Sequence, residues 1–312
     1  MNTDSKPNII VICGPTGLGK TAVSIELAIE LHGEIIGTDS MQIYRYMDIG
    51  TAKATSDEQA QVSHHLIDIV DPDEPFDAAM FAKMAGELIM KLHADDIIPF
   101  VVGGTGLYIK ALVHGLSHAG SADTDIRKRL KEAELLHGSG FLYERLCKCD
   151  QVAAGRIHPN DTYRIIRALE VYETTGMAIS QYSKDHGFEK RRFNVLKIGL
   201  HMEREALYDR INRRVDAMIE EGLVDEVKML LGRGYSEDLK SMQSIGYRHM
   251  VDFIKGRITW EETVRTLKRD TRRYAKRQMT WFKADSEVVW AEPEQSGYIK
   301  QLITKFLQAE KR

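Results

Sequence analysis

One segment constrains the fold more than any other: residues 14–21 read GPTGLGKT and match the pattern G-x-x-x-x-G-K-[ST]. The motif follows a short apolar run, residues 8–13, and helical spacing begins at Lys20. Glycines allow backbone N–H groups to turn inward around phosphate oxygens, while the helix N-terminus and Lys20 add positive charge. The segment therefore predicts a phosphate site, and the alternative is a glycine turn that only joins a strand to a helix.

Further strands and helices alternate along the chain. A helical pattern covers residues 77–93, and apolar strand patterns cover residues 34–38, 65–70, 98–102 and 195–200. This alternation is typical of an α/β protein with three layers and a mainly parallel sheet. Residues 121–193 show helices and polar turns without a convincing strand. We predict a P-loop α/β core with C-terminal helices from residues 1–120 and 194–312, and a helical insertion domain at 121–193.

Composition restricts the partners and the compartment. The 312 residues carry a formal net charge of -3, so nucleic-acid binding would require a local basic patch. The three cysteines cannot form a disulfide framework. The polar N-terminus has no signal-peptide pattern, and no apolar run approaches the roughly 18 residues that span a bilayer. We expect a cytoplasmic protein that does not enter a membrane.

The sequence also bears on which phosphate compound is bound. NTPases usually place a carboxylate at the end of a strand to help hold Mg²⁺, whereas the strand at 98–102 ends in Gly103-Gly104. Asp68 lies within a strand pattern, where a structural role is favoured. Asp39 instead follows the strand at 34–38, so it should face the phosphate site. Its carboxylate could bind metal, orient a nucleophile, accept a proton or cap a helix.

Several motifs occur together in one order: GPTGLGKT, DSMQIYRYMDIGTAK, HHLID, VGGTGLY, RIHPNDTYRIIRALEVYETTG and SIGYRHM. In this order they resemble the bacterial tRNA dimethylallyltransferases of the isopentenyl-transferase family. The resemblance runs from about Asn8 to Trp290 and is much more specific than a P-loop alone. It implies transfer of a dimethylallyl group from dimethylallyl diphosphate to the exocyclic N6 amine of the adenine immediately 3′ of the anticodon, with release of diphosphate.

The resemblance also implies roles for individual residues. Asp39 would be the general base, and Lys20, Thr21 and Arg214 would complete the catalytic set. The diphosphate would be bound by Gly14, Thr16, Gly17, Leu18, Gly19, Lys20, Thr21 and Arg214, together with Mg²⁺ at Thr21. The anticodon stem-loop of tRNA would be contacted by Asp39, Ser40, Met41, Gln42, Thr105, Arg127, Tyr163, Arg164, Ile165, Ile166, Arg167, Gln243, Ser244, Ile245, Gly246, Tyr247 and Arg248. From the residues alone, Arg127 would be an ordinary exposed helix residue.

A basic patch lies near the C-terminus. Residues 262–283 hold eight basic side chains against Glu262 and Asp270, namely Arg265, Lys268, Arg269, Arg272, Arg273, Lys276, Arg277 and Lys283. We expect part of this stretch to bind the phosphate backbone of RNA. The alternative is an amphipathic helix that buries Leu267, Tyr274 and Trp281 and turns a solvated basic face outward.

Three other functions would explain some of the same sequence features. A nucleotide kinase would share the P-loop but needs a second carboxylate near Mg²⁺. A nucleotide-driven RNA-binding switch would bind RNA but has no use for Asp39. Prenylation of free AMP would need neither the long helical insertion nor the basic stretch. Nothing in the sequence suggests more than a monomer.

Overall fold

The computed structural model describes residues 6–115, 123–181 and 192–309. It divides into two compact units, Met1–Val113 with Arg191–Arg312, and His114–Lys190. The predicted boundary at residues 120 and 121 lies outside the described residues.

The first unit is built on a six-stranded parallel sheet in the order β3-β2-β4-β1-β5-β6. Its strands are β1 (Asn8–Cys13), β2 (Gly33–Gly37), β3 (His64–His65), β4 (Ile98–Gly103), β5 (Asn194–Leu200) and β6 (Val288–Ala291). Strand β1 lies between β4 and β5. Its residues Ile9, Ile10, Val11 and Ile12 are all fully buried, because a strand inside the sheet is covered on both faces. The predicted α/β class with a mainly parallel sheet is confirmed.

Helices cover both faces of this sheet and extend the unit beyond it. They are α1 (Lys20–Glu30), α2 (Ser56–Gln61), α3 (Ala78–Ala94), α4 (Gly106–His114), α9 (Arg204–Glu220), α10 (Leu223–Gly232), α11 (Tyr247–Ile254), α12 (Trp260–Lys283) and α13 (Ser296–Ala309). Apolar side chains of α1, α9 and α13 pack against the sheet in one core cluster that includes Leu27, Ile211 and Ile303. In the described parts of the chain, no helix is long and apolar enough to cross a membrane.

The prediction of a strand over residues 65–70 is wrong for most of that segment. Only β3 pairs with the sheet, Val70 forms an isolated bridge with Tyr44, and Leu66 and Asp68 have positive φ angles of 59° and 53°. Such angles interrupt the extended backbone of a strand. Asp68 instead forms an ion pair of 2.5 Å with the buried amine of Lys53, which is a structural role. The sequence analysis also missed β6, a short edge strand beside β5.

Residues 123–181 of the second unit form helices joined by turns, with no strand among these described residues, as predicted for this part of the chain. Its helices are α5 (Thr124–His137), α6 (Phe141–Cys149), α7 (Gln151–Ala154) and α8 (Thr162–Thr175). They enclose a separate apolar core around Leu142, Leu146 and Leu169. Asp161 caps α8 by accepting a hydrogen bond from the Arg164 N–H. This unit therefore has a hydrophobic core of its own.

Candidate phosphate site and adjoining cavity

The glycine-rich loop leaves β1 and enters α1 with the backbone that its motif predicts. Gly17 and Gly19 have φ angles of 87° and 78°, which favour glycine. A Cβ atom on Gly17 would also lie 3.0 Å from the Ile211 side chain. The loop thus needs glycine for its conformation and for its close approach to α9. Because the loop directly follows β1, it lies at the carboxyl edge of the parallel sheet, where open α/β sheets bind ligands.

Two cations face this loop. A cavity of about 560 Å³, here named the phosphate cavity, is lined by Lys20, Thr21 and Arg214, among others. Burial, together with nearby Arg214, lowers the pKa of Lys20 to about 8, although Asp39 acts in the opposite direction. Burial also lowers the pKa of Arg214, and Asp39 again opposes that shift. Both side chains are therefore cations in surroundings that disfavour charge, which an anionic ligand would relieve.

Asp39 stands at the same edge, two residues beyond β2. Its Oδ1 accepts a hydrogen bond of 2.8 Å from the Met41 N–H, so it orders a turn and does not cap a helix. The residues on either side are held by Thr105, whose N–H donates to the Thr38 carbonyl and whose hydroxyl accepts the Ser40 N–H. The carboxylate is thus fixed by the loops that follow β2 and β4.

A second cavity, of about 350 Å³, adjoins the first. Thr16, Asp39 and Arg214 line both cavities. The second is enclosed mainly by apolar groups from α9 and α12, such as Ile211 and Leu267. Asp39 is therefore placed where an anionic ligand in one cavity and a neutral partner in the other could meet.

The predicted RNA-contacting residues of the first unit fall into different environments. The second cavity is lined by Ser40, Met41, Gln243, Ser244, Ile245 and Gly246. Gln42 lines the phosphate cavity, where its amide donates to the carbonyls of Thr51 and Ala52. Tyr247 is fully buried and donates to Glu226, so its side chain offers no surface to RNA. Arg248 pairs with Asp270 at 2.9 Å.

The predicted RNA-contacting residues of the second unit surround a buried acid. Arg127 donates through two nitrogens to Glu170, at 2.8 and 3.0 Å, and Arg167 donates to the same carboxylate. Glu170 is fully buried, and these arginines hold its pKa below its usual range against the effect of burial. Arg127 is thus a bridging residue of this unit, where the sequence alone indicated an ordinary exposed one. Tyr163 and Arg164 are exposed, whereas the side chains of Ile165 and Ile166 are buried.

Sequence reasoning missed several residues that shape the site. Glu226 accepts three backbone N–H groups, from Asp48, Ile49 and Gly50, and so holds the loop beside the second cavity. Gln278 on α12 bonds to the glycine-rich loop itself. Neither residue belongs to a local motif, and their partners lie 176–178 and 262 positions away along the chain. No signal within one sequence could have identified them.

The basic stretch forms the single helix α12, and the amphipathic interpretation of it holds in part. Leu267 is buried, as the amphipathic interpretation expects, but Trp281 is 44% exposed. Several of the cations are engaged within the protein: Lys268 pairs with Asp216, and Arg269 and Arg273 pair with Asp270. Arg272 donates to the side-chain oxygen of Asn212.

A glycine-rich loop at the edge of a parallel sheet, with two cations and a carboxylate around one cavity, defines an α/β protein with a candidate phosphate site. Comparison with known proteins gives the family. A family model for IPP transferase matches residues 42–285, and one for isopentenyl transferase matches residues 7–70. The chain belongs to the IPP transferase family.

Individual relatives agree along nearly the whole chain. A tRNA dimethylallyltransferase of Desulfosudis oleivorans is 52% identical over 305 residues, which is 97% of each chain. The crystal structure of a tRNA isopentenylpyrophosphate transferase from Bacillus halodurans is 45% identical, with a TM-score of 0.74 and 98% of each chain covered. Crystallographic snapshots of a eukaryotic dimethylallyltransferase acting on tRNA give 29% identity and a TM-score of 0.78, covering 92% of this chain and 74% of that one.

Proposed function

We propose that this protein transfers a dimethylallyl group from dimethylallyl diphosphate to the exocyclic N6 amine of a tRNA adenine, the one immediately 3′ of the anticodon. Family membership and the names of its relatives support the reaction class and the tRNA acceptor. The choice of donor, the exact adenine and the residue roles belong to this proposal. So do a monomeric state and a cytoplasmic location, which the sequence led us to expect.

The observation that carries the proposal is that Asp39 and Arg214 line both cavities. The phosphate cavity suits the diphosphate, and the apolar second cavity suits an adenine turned out of the anticodon loop, as base-modifying enzymes require. The dimethylallyl carbon that reacts would then lie between them. Asp39 would be within reach of the amine, and Arg214 within reach of the leaving group.

The reaction needs both groups because the adenine amine is a poor nucleophile. Its nitrogen forms a bond to the first carbon of the dimethylallyl group while the bond from that carbon to the diphosphate oxygen breaks. The electron pair of the broken bond leaves with the diphosphate, and Asp39 takes the amine proton. Loop N–H groups, Lys20 and Arg214 stabilise the negative charge that develops on the leaving diphosphate.

The donor set is compatible with Mg²⁺. The described residues contain no cluster of three or more His, Cys, Asp or Glu side chains that could hold a metal. Mg²⁺ nevertheless suits this cavity, because it commonly uses one or two protein ligands and completes its shell with substrate phosphates and water. Thr21 and Asp39 both line the cavity. Thr21 would hold the ion, which when bound would neutralise part of the charge on the diphosphate.

The proposal is tested in three reactions. Labelled dimethylallyl diphosphate is mixed with unmodified tRNA in the first and with AMP in the second. In the third, labelled ATP replaces the donor. We expect label to enter tRNA only when the donor is dimethylallyl diphosphate, and ATP to remain intact. Hydrolysis or transfer of the ATP phosphate would instead favour a kinase. Label in AMP but not in tRNA would favour prenylation of the free nucleotide.

The role of Asp39 is tested with Asp39→Asn, which keeps the oxygen that bonds to Met41 and removes the base. We expect the single-turnover rate at saturating donor and tRNA to fall by roughly 10² to 10⁴, while tRNA affinity is retained. Asp95→Asn makes the same change at an exposed residue after α3 and should leave the rate unchanged. A normal rate in Asp39→Asn would reduce Asp39 to a residue that orders its turn.

A further inference from the structure

Gln278 joins the two halves of the candidate site. It lies on α12 and is only 6% exposed. Its Oε1 accepts the Thr16 N–H at 2.9 Å, and its Nε2 donates to the Gly104 carbonyl at 2.9 Å. One orientation of the amide satisfies both partners, since the backbone N–H needs an acceptor and the carbonyl needs a donor. A single side chain thus bonds to the glycine-rich loop and to the loop after β4.

The loop after β4 connects Gln278 to the backbone around Asp39. Gly104 lies against the amide so closely that a Cβ atom there would stand 2.1 Å from Nε2 of Gln278. The next residue, Thr105, bonds to the backbone on both sides of Asp39, at Thr38 and at Ser40. The connection from the diphosphate loop to the carboxylate therefore runs through Gln278 and Thr105.

Tyr274 supports the same connection from one turn earlier in α12. Burial, and after it the charge of Asp39, raises the pKa of its phenol, and the neighbouring Thr105 and Gln278 act against this shift. The phenol is therefore a neutral, half-buried polar neighbour of this connection.

We infer that Gln278 is a positioning residue that sets the separation between the diphosphate loop and Asp39. This inference rests on the proposed function, because it assigns the two loops to donor and base. An amide suits the position since it is neutral: a carboxylate would still accept the Thr16 N–H but would place negative charge beside the diphosphate. An apolar side chain of the same length would fill the space and hold neither loop.

The test compares Gln278→Met and Gln278→Glu with the same two changes at Gln301, an exposed residue of α13. Three quantities are measured on the full chain: the thermal unfolding midpoint, the affinity for pyrophosphate by calorimetry, and the single-turnover rate at saturating donor and tRNA. For Gln278→Met we expect the rate to fall by roughly 10- to 100-fold, because a misplacement of about 1 Å can have that effect. Pyrophosphate affinity should change by a few-fold at most.

Gln278→Glu should weaken pyrophosphate binding more than Gln278→Met does, because two negative groups then share the cavity. If Gln278 and Thr105 act through the same connection to Asp39, the double variant Gln278→Met with Thr105→Val should lose less rate than the two single variants predict together. A role in folding alone would lower the unfolding midpoint and leave the saturated rate per folded molecule unchanged, and that result would overturn the inference. Absence of transfer by the wild type would refute the proposed function. Even then, weaker pyrophosphate binding by Gln278→Glu than by Gln278→Met would show that the Gln278 amide lies beside the anion site.

Discussion

Lys20 holds its charge in surroundings that disfavour it, and this sets a pH dependence for anion binding. Its pKa is lowered to about 8 by burial first and by Arg214 second. Below that pH the amine is already charged, and binding of a diphosphate requires no proton. Above that pH the amine is mostly neutral and must take up a proton when the anion binds. Pyrophosphate affinity should therefore fall as the pH rises above about 8, by up to about tenfold per pH unit.

Calorimetry with pyrophosphate from about pH 7 to pH 10 measures this decline, and buffers of different ionisation enthalpy report the proton uptake. Lys20→Arg is the control, because a guanidinium stays charged over this whole range. Its affinity should change less between pH 8 and 10. Parallel profiles for the two proteins would show that Lys20 is not the group that titrates on binding.

At the site, the sequence predicts the residues that act with their neighbours in the chain, but not those that act through distant contacts. The conformation of the glycine-rich loop was predictable because it depends on neighbours in sequence, such as Gly17 and Gly19. The position of Asp39 beside that loop was predictable because the carboxyl ends of parallel strands share one edge of the sheet. Arg214 came from family resemblance only, and Gln278 and Glu226 were not found. Their roles depend on contacts between segments far apart in the chain, which local spacing does not encode.

At the scale of elements, the strand prediction that failed shows the limit of hydrophobic alternation. Residues 65–70 alternate as a strand does, yet only His64–His65 pair with β2. Beyond that point Leu66 and Asp68 have positive φ angles, and Asp68 pairs with the buried amine of Lys53. A tertiary contact to a buried amine therefore outweighed the local pattern. The long apolar strands β1 and β4 had no such competitor, and their positions were predicted to within a residue or two.

Helix α12 carries a test of how RNA is held. Asp270 gathers Arg248, Arg269 and Arg273 around one carboxylate, whose pKa is lowered to about 2 despite burial. One acid with three arginines leaves net positive charge at that place. Reversing Arg273 and Arg277 together to Glu should weaken tRNA binding and flatten its salt dependence. Each lost contact should remove roughly 0.7 from the slope of log affinity against log salt.

The measurement is tRNA affinity at several salt concentrations, with pyrophosphate affinity expected to be unchanged. The control reverses Lys300 and Lys305 on α13, which alters the net charge by the same amount on another helix. Equal slopes for wild type and the α12 variant would mean that this face of α12 only meets solvent.

For the whole molecule, a net charge of -3 is compatible with RNA binding because charge is distributed unevenly. Eight basic residues with two acids lie in 262–283, so the rest of the chain carries the compensating excess of acid. Composition alone could predict that a patch was needed, and sequence position could suggest α12. The bonds of Lys268 to Asp216 and of Arg272 to Asn212 could not be predicted, because they form only when α12 packs against α9.

The two units have separate hydrophobic cores, and this leads to a prediction about the whole chain. Leu146→Ala removes a fully buried side chain from the core of the second unit. Such truncations cost about 2–5 kcal/mol, so hydrogen exchange should accelerate in α5, α6 and α8 while β1 and β4 stay protected. If residues such as Tyr163 and Arg164 contact tRNA, its affinity should fall while pyrophosphate affinity stays constant. Leu135→Ala, at a position 85% exposed in the same unit, is the matched control and should alter neither. Loss of protection in β1 and β4 as well would show that the two units unfold together, and the tRNA effect could then no longer be assigned to the second unit.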